Sequence, residues 1–308
     1  MTKTENFRDR ARGAMYGVAA GDALGAPLEF MDAIEIKDVH GPEHVREMIG
    51  GGWLHLAPGE TTDDTDMTLA VAEGLMATPS WSAIGDAVRE VGNRFIEWHH
   101  SRPKDVGVTC RTVIEWAEIG KKTKNDYEAW MEASENYDRL SGHRSAGNGA
   151  LMRTVPLGIA YEIPGILACR IARMTHWDTK AADLVVDYTQ AVADLVRTGN
   201  WSAIASLNGY MKKEHLNPTG YSFDSMNCAL EAIHRTEKFE EALVIAVNMG
   251  GDADTIGAIT GGLAGAYYGF SQIPERWVNA LPERIKKRLD AFVEWAVERE
   301  GKRIHERV

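Results

Sequence analysis

Apolar residues recur every three or four positions along most of the chain, which is the spacing of one face of an α-helix. Two such runs begin beside acidic residues, one after Asp64 and one from Asp254. Further runs predict helices over 181–196, 223–234 and 285–297. Stretches in which apolar and polar residues alternate are scarce, so the pattern predicts an all-α fold.

Glycine occupies every fourth position in two of the predicted helical segments. Each glycine in a helix interior costs about 1 kcal/mol relative to alanine, so these stripes need a structural reason. Residues four apart share a helix face, and a face of glycines lets a neighbouring backbone approach closely. We expect two tightly packed central helices, the first ending near Asp22 and the second starting near Asp254. The stripes are Gly13, Gly17, Gly21 and Gly25, and Gly257, Gly261, Gly265 and Gly269.

Loops are predicted where glycine, proline and polar residues cluster between the helical runs. None of them separates regions of different composition, and the sequence contains no internal repeat, so residues 1–308 are expected to form a single compact domain. The predicted loops are 41–59, 101–107, 120–149, 217–220 and 271–282.

Composition narrows the class of function. With 44% hydrophobic residues the chain can bury a sizeable core. A net charge of −11 disfavours nucleic acid as the main partner, because phosphate binding needs a basic surface. An acidic protein still binds an anionic nucleotide where metal ions neutralise it locally. The three cysteines form no CxxC pair, so neither a disulfide framework nor a thiolate zinc site is indicated.

The N-terminal residues mix both charge signs and contain no apolar segment of the kind found in signal peptides. The longest uncharged run, 255–270, is too short to span a bilayer. No membrane-spanning segment is therefore expected, and a cytoplasmic location is the default.

Two short acidic clusters, Thr62-Asp63-Asp64-Thr65 and Gly250-Gly251-Asp252-Ala253-Asp254-Thr255, each open a predicted helix. Helix capping alone would explain one Thr or Asp at such a position. Adjacent carboxylates repel one another, a cap does not need both, and a cation would relieve the repulsion. Together the clusters offer hard oxygen ligands that suit Mg²⁺ or Mn²⁺ better than Zn²⁺. The candidate metal ligands are Thr62, Asp63, Asp64, Asp252, Asp254 and Thr255.

Two details leave alternatives open. Asp252-Ala253-Asp254 is also similar to the DxD of phosphatases that place an aspartyl nucleophile after a β-strand, although two glycines and an immediate helix weaken that interpretation. Glu29 ends an apolar stretch before a loop, where a single glutamate is usually just solvated.

Long ordered motifs resemble those of the ADP-ribosylglycohydrolase family, most strongly its bacterial dinitrogenase reductase-activating branch. The resemblance runs from about Ala11 to Pro274. It implies a compact all-α fold with a dinuclear metal centre. The motifs, in chain order, are GDALGAPLEF (21–30), GGGWLHLAPGETTDDTDMT (50–68), AGNGALMR (146–153), THWD (175–178) and NMGGDADTIGAITGGLAGAYYG (248–269).

The resemblance also implies roles for individual residues. The six oxygen donors of the acidic clusters match the metal ligands of the family. Asp105 matches an aspartate at the scissile end of the ribose, and Glu29 matches an acidic residue near the metals and the substrate. The implied catalytic residues are Asp105, Glu29 and the metal ligand Asp63. Positions that line the substrate are matched by Gly147, Asn148, Gly149, His176 and Tyr221. The chain departs from close relatives at Val108 and Ser145, which bears on the protein target rather than on the reaction.

The activity implied is metal-dependent removal of mono-ADP-ribose from a modified protein side chain, typically the N-glycosidic bond to arginine, with two Mn²⁺ or Mg²⁺ ions. The implied partner is an ADP-ribosylated protein, with dinitrogenase reductase or the target of a toxin as candidates. One alternative is hydrolysis of another ADP-ribosyl linkage, such as that to serine. Another is a non-catalytic immunity protein that binds ADP-ribose or a toxin, although a pure binder need not keep every carboxylate.

Overall fold

The computed structural model describes residues 2–78, 84–212, 214 and 216–306. Within these residues the chain is helical and contains no β-strand, only isolated bridges. This confirms the all-α prediction. The helices are α1 (Lys3–Gly25), α2 (Ala33–His40), α3 (Asp63–Ala77), α4 (Ile84–His100), α5 (Val108–Gly120), α6 (Asp126–Leu140), α7 (Val155–Ala160), α8 (Gly165–Arg173), α9 (Thr179–Thr198), α10 (Ser202–Ala205), α11 (Ser222–His234), α12 (Phe239–Val247), α13 (Ala253–Tyr268), α14 (Glu275–Ala280) and α15 (Glu283–Glu306).

Helices α1 and α13 pack against each other in antiparallel fashion at the centre of the molecule. Gly17 faces Gly261, and a Cβ on either residue would overlap the carbonyl oxygen of the other. Gly21 and Gly257 face each other in the same way, as do Gly13 and Gly265. The predicted close approach of the two glycine helices is therefore confirmed, and it places the end of α1 beside the start of α13.

The last glycine of each stripe behaves differently from the others. Gly25 lies against the backbone of Ala253, not of a glycine. Gly269 follows α13 with a φ of 87°, and a Cβ there would meet the carboxylate of Asp9. Gly269 therefore ends the helix instead of extending the stripe.

The other helices surround the central pair. Helix α1 also contacts α9 and α15, and α13 contacts α11 and α12. Helices α4, α5 and α6 pack on one another outside α3. One large cluster of buried apolar side chains runs through this arrangement, from Phe7 in α1 to Val297 in α15. The C-terminal end of α1 and the N-terminal ends of α3 and α13 therefore meet within this core.

Two segments predicted as loops contain helices. Residues 120–149 include α6, whose N-cap Asn125 accepts a hydrogen bond from the Glu128 amide and which buries Trp130 completely. Residues 271–282 include α14, which buries Trp277. In both segments the burial of a tryptophan stabilises a helix that the charged or proline-containing sequence obscures.

No helix in the described residues is both long and apolar enough to cross a membrane. The segment before the second acidic cluster is the helix α12, where an aspartyl phosphatase requires a β-strand. The phosphatase interpretation of the DxD sequence therefore lacks its structural element.

Candidate active site

The first acidic cluster is held by Asp22, a fully buried residue near the end of α1. The Asp22 carboxylate accepts hydrogen bonds from the Thr62 amide and hydroxyl, at 3.0 Å each, and from the amide and hydroxyl of Thr65. Burial raises the pKa of Asp22 to about 7, while these donors oppose the rise. Asp22 therefore fixes the start of α3 and the direction of its side chains.

The second acidic cluster follows a turn that depends on glycine. Gly250 and Gly251 have φ values of 76° and 64°, and a Cβ on Gly251 would overlap the carbonyl of Pro218. The turn pairs with the residues after Glu29, because Phe30 donates its amide to the Gly251 carbonyl at 2.7 Å. It also holds Asp252, whose amide donates to Pro218.

Folding brings the two clusters into contact. The Thr255 hydroxyl donates to Asp64 Oδ2 at 3.1 Å, and the Thr62 hydroxyl lies 3.5 Å from Asp254 Oδ2. All four residues are buried. The convergence expected from the sequence is therefore present, at the point where α1, α3 and α13 meet.

Helix capping does not explain these side chains. Thr62 and Asp252 are the N-cap residues of α3 and α13, and neither makes a side-chain capping hydrogen bond. The Asp252 carboxylate instead accepts from Asn148 Nδ2 at 2.6 Å. The Asp252 side chain is therefore directed into the site, and the Thr62 hydroxyl is held by Asp22.

The electrostatics of the cluster favour a cation. Burial, followed by repulsion from neighbouring carboxylates, raises the pKa values of Asp63, Asp64 and Asp254 well above their usual range. Asp64 Oδ1 is buried and has no hydrogen-bond partner in the described part of the chain. Crowded carboxylates with an unused oxygen fit a hard divalent cation, whose charge would relieve both penalties.

Two further carboxylates approach from loops. Glu29 follows the short 3₁₀ turn after α1, and Asp105 lies in the loop before α5. One carboxylate oxygen each from Glu29, Asp105 and Asp254 lie within 4.8 Å of one another, close enough to share an ion. Trp53 donates its indole N–H to Glu29 at 2.6 Å. Burial raises the pKa of Glu29 to about 7, and Asp105 adds to that rise.

The carboxylates form one wall of an open cavity of about 380 Å³. The opposite wall is the turn at 147–149 together with His176. This turn is a 3₁₀ helix whose Asn148 amide donates to Gly220 at 2.9 Å, and Gly147 pairs with Tyr221. The predicted residues that line the cavity are Glu29, Asp63, Asp105, Gly147, Asn148, Gly149, His176, Asp252 and Thr255.

The other predicted residues lie around this cavity. Asp64 and Asp254 are buried behind its acidic wall, and Thr62 faces an adjoining pocket on the far side of Asp63. Tyr221 is exposed beside the turn, packed on Phe223 with ring centroids 5.4 Å apart. Asn148 uses its side-chain amide to donate to Asp252 and to Ser225 at 2.9 Å. Its two side-chain N–H groups therefore hold Asp252 and Ser225 in place.

Two residues of the site were not predicted. The sequence marks Asp22 only as the end of a predicted helix, although a lone aspartate within a glycine stripe is itself an unusual signal. Trp53 lies within the motif at 50–68, and its hydrogen bond to Glu29 is evident only in the structure.

The sequence profile of the ADP-ribosylglycohydrolase family matches residues 3–306, almost the whole chain. The chain belongs to the ADP-ribosylglycohydrolase family. Its helical architecture and the family motifs at the cavity agree with this membership, which places the chain among enzymes that hydrolyse ADP-ribosyl linkages.

Several relatives are similar over more than three quarters of their own length. The ADP-ribosyl-[dinitrogen reductase] glycohydrolase of Rhodospirillum rubrum is 34% identical over 92% of this chain and 94% of its own. The ADP-ribosylarginine hydrolase Tri1 of Pseudomonas putida is 30% identical over 92% of this chain and 77% of its own. A solved structure described as an ADP-ribosylglycohydrolase-related protein complex superposes with a TM-score of 0.74 at 32% identity, covering 96% of this chain and 99% of that one.

Proposed function

We propose that this protein is a metal-dependent hydrolase that removes mono-ADP-ribose from arginine side chains of a modified protein. The observation that carries the proposal is the convergence of two buried acidic clusters beside a cavity in a member of this family. Two of its relatives at 30% identity or more carry names that refer to a dinitrogen reductase and to ADP-ribosylarginine.

The ligands of the proposed metal centre are the oxygen donors at the starts of α3 and α13. Thr62, Asp63 and Asp64 come from α3, and Asp252, Asp254 and Thr255 from α13. Two divalent cations, Mn²⁺ or Mg²⁺, would neutralise these carboxylates and supply Lewis acidity toward ribose hydroxyls and water. Asp22 orients Thr62 by accepting its hydroxyl proton, and Asn148 orients Asp252 by donating a side-chain N–H to it.

Glu29 and Asp105 are the proposed acid and base groups. In the reaction, the oxygen of water bonds to the anomeric carbon as the bond from that carbon to the guanidinium nitrogen breaks. The proton lost by water passes through a carboxylate to the departing guanidine, which leaves as a guanidinium ion. One carboxylate oxygen of Glu29 and one of Asp105 lie within 4.8 Å of each other, which places both groups at the same end of the cavity for this transfer.

The rim of the cavity supports a macromolecular substrate. Phe30, Trp53 and Val108 are large apolar or aromatic side chains exposed at its mouth, and Tyr221 is exposed beside the turn at 147–149. Phe30 and Trp53 pack together, with ring centroids 5.5 Å apart. A free nucleotide would need no such rim beyond its own pocket, whereas a modified protein would cover it.

Substrates that differ only in linkage provide the test of this proposal. The protein would be given one carrier peptide ADP-ribosylated on arginine and a second ADP-ribosylated on serine, each with Mn²⁺, and free ADP-ribose would be measured. We expect release from the arginine peptide at a rate at least about tenfold higher, which corresponds to about 1.4 kcal/mol of discrimination.

Faster release from the serine peptide would move the assignment to the alternative linkage within the same family. Tight binding of ADP-ribose without release from either peptide would favour a non-catalytic binder instead. A matched control is the Asp290→Asn variant, because Asp290 pairs with Arg12 at the surface, 2.9 Å apart, on a helix that contributes nothing to the cavity.

A further inference from the structure

Arg153 is a buried cation that the proposed reaction does not use. Its side chain is completely buried below the turn at 147–149. No carboxylate of the described residues lies within ion-pair distance of it. Its contacts include the Ile171 carbonyl at 3.1 Å, the Thr175 hydroxyl at 2.7 Å, the face of Phe95 and the sulfur atoms of Met67 and Cys110. A buried charge without an opposite charge is costly, so this arrangement needs a reason.

The contacts of Arg153 lead to His176. Arg153 Nη2 donates to Thr175 Oγ1, and the same oxygen lies 2.8 Å from His176 Nδ1. A guanidinium has only donors, so the Thr175 oxygen must accept from it. The Thr175 proton is then available for an acceptor, and His176 Nδ1 is the nearest one.

Cys110 is the competing acceptor for the Thr175 proton, since its sulfur also interacts with Thr175. Sulfur is the weaker acceptor, and Cys110 Sγ already faces Arg153 Nη1 at 3.7 Å. The hydroxyl therefore donates to His176, and a nitrogen that accepts a hydrogen bond carries no proton of its own.

We infer that Arg153 and Thr175 are positioning residues that hold His176 in the tautomer with its proton on Nε2, directed as a donor into the cavity. This inference rests on the proposed function for the identity of the ligand, an oxygen of the ADP-ribosyl group. The ring packs between the turn glycines: a Cβ on Gly147 would lie 3.2 Å from His176 Nε2, and one on Gly149 would lie 3.0 Å from Cε1. The small residues of the turn thus leave room for this edge of the ring.

The charge of Arg153 also keeps His176 neutral. Burial, and then the nearby guanidinium, lower the pKa of His176 to about 3. His176 is therefore neutral, and its tautomer is determined by the hydrogen bond at Nδ1. A neutral donor in a site crowded with carboxylates binds a ligand oxygen without becoming trapped in an ion pair.

Nitrogen-15 NMR on histidine-labelled protein without ligand tests the hydrogen-bond chain from Arg153 through Thr175 to His176. The protonated and unprotonated ring nitrogens of a neutral imidazole have well-separated chemical shifts. The His176 signals would be assigned by their loss in His176→Gln. We expect Nε2 protonated and Nδ1 unprotonated in the wild type. In Thr175→Val the Nδ1 shift should move because its donor is lost, and Thr175→Ser should restore it.

The dissociation constant of ADP-ribose tests whether this hydrogen-bond chain affects ligand binding. We expect the dissociation constant to rise about threefold to tenfold in Thr175→Val and to recover in Thr175→Ser, as for the loss of one oriented hydrogen bond. The matched control is Thr189→Val, which removes an equally buried threonine hydroxyl that donates to the Val185 carbonyl within α9. It should leave both the His176 shifts and the affinity unchanged.

A protonated Nδ1 or a charged imidazole in the wild type would overturn the inference, because Thr175 would then not be the donor. An unchanged dissociation constant in a folded Thr175→Val protein with a displaced Nδ1 shift would overturn the role toward the ligand. A correct tautomer in a wild type that does not bind ADP-ribose would instead refute the proposed function, since the NMR measurement needs no ligand.

Discussion

At the scale of single residues, the site is built from carboxylates that destabilise the protein when no cation is present. Asp63, Asp64 and Asp254 are buried together, and repulsion among neighbouring carboxylates adds to the cost of burial. Groups that cost stability in this way are typical of sites that bind a ligand or perform catalysis.

Replacing one of these carboxylates should therefore stabilise the metal-free protein. We expect Asp64→Asn to raise the free energy of unfolding in chelator by about 1 kcal/mol or more, because it removes one buried charge and keeps the size of the side chain. The measurement is thermal unfolding with chelator and then with excess Mn²⁺.

The same variant should lose most of the Mn²⁺-induced rise in Tm that the wild type displays. Asp290→Asn, on the surface, should differ from the wild type by no more than about 0.5 kcal/mol and keep the full rise. A destabilised metal-free Asp64→Asn protein would contradict the account of the acidic cluster.

His176 should make stability depend on pH in a separate way. The pKa of His176 is about 3 in the folded protein and near 6.5 in the unfolded chain, so the unfolded state binds more protons between these values. The contribution of neutral His176 is therefore present above pH 6.5 and is lost as the pH falls toward 3.

We expect the wild type, in chelator, to lose about 1 kcal/mol more stability than His176→Gln between pH 7 and pH 5.5. The raised pKa values of the buried carboxylates act in the opposite direction, but they are the same in both proteins and cancel in the difference. Denaturant unfolding at the two pH values gives the comparison, and parallel losses would mean that His176 is not buried in its neutral form.

The acidic residues of the site were easier to predict from the sequence than the residues that hold them in place. Paired aspartates at helix starts are recognisable because a cap does not need two of them. The role of Asp22 depends on Thr62 and Thr65, about forty positions later, donating to it after folding, and no local pattern contains that information.

At the scale of helices, the contact between α1 and α13 determines where the two acidic clusters meet. The contact is made by backbone against backbone, so its geometry has little freedom to adjust. The glycine stripes predicted it because close approach of two helices over several turns is possible only without side chains.

A methyl group in this contact should be poorly tolerated. We expect Gly261→Ala to lower the free energy of unfolding by about 3 kcal/mol or to prevent folding, because its Cβ would overlap the Gly17 carbonyl. Gly301→Ala is the matched control, since Gly301 lies within α15 and no other element of the described residues comes within 4 Å of its Cβ position. That change should raise stability by about 0.5–1 kcal/mol, and equal effects of the two would contradict the packing.

Helix α6 lies in a segment that the sequence predicts as a loop. The segment is rich in charged residues, and these obscure the helical spacing of its apolar positions. Its buried face is nonetheless periodic, with Trp130, Ala133 and Ser134 inside, and Asn125 is a good N-cap. The helix also carries Asp138, which accepts from Ser145 at 2.6 Å and so anchors the segment leading to the turn at 147–149.

At the scale of the whole molecule, the cavity is assembled from distant parts of the chain. It is lined from separate loops and helices by residues 29–30, 53, 63, 105–110, 147–149, 152, 176, 220, 252 and 255. The sequence indicated that these segments belong to one site through their resemblance to a family. Their relative placement depends on the packing of the core, which local patterns do not contain.

Release of ADP-ribose from an arginine-ADP-ribosylated protein, followed as metal is removed and returned, tests the central claim most directly. We expect the wild type to lose at least about 99% of its activity in chelator and to regain it with Mn²⁺ or Mg²⁺. Asp254→Asn should remain folded and inactive at saturating metal, because it lacks a ligand from the start of α13. Full hydrolysis by the chelated wild type, or by Asp254→Asn, would contradict the assignment of the acidic clusters as a catalytic metal centre.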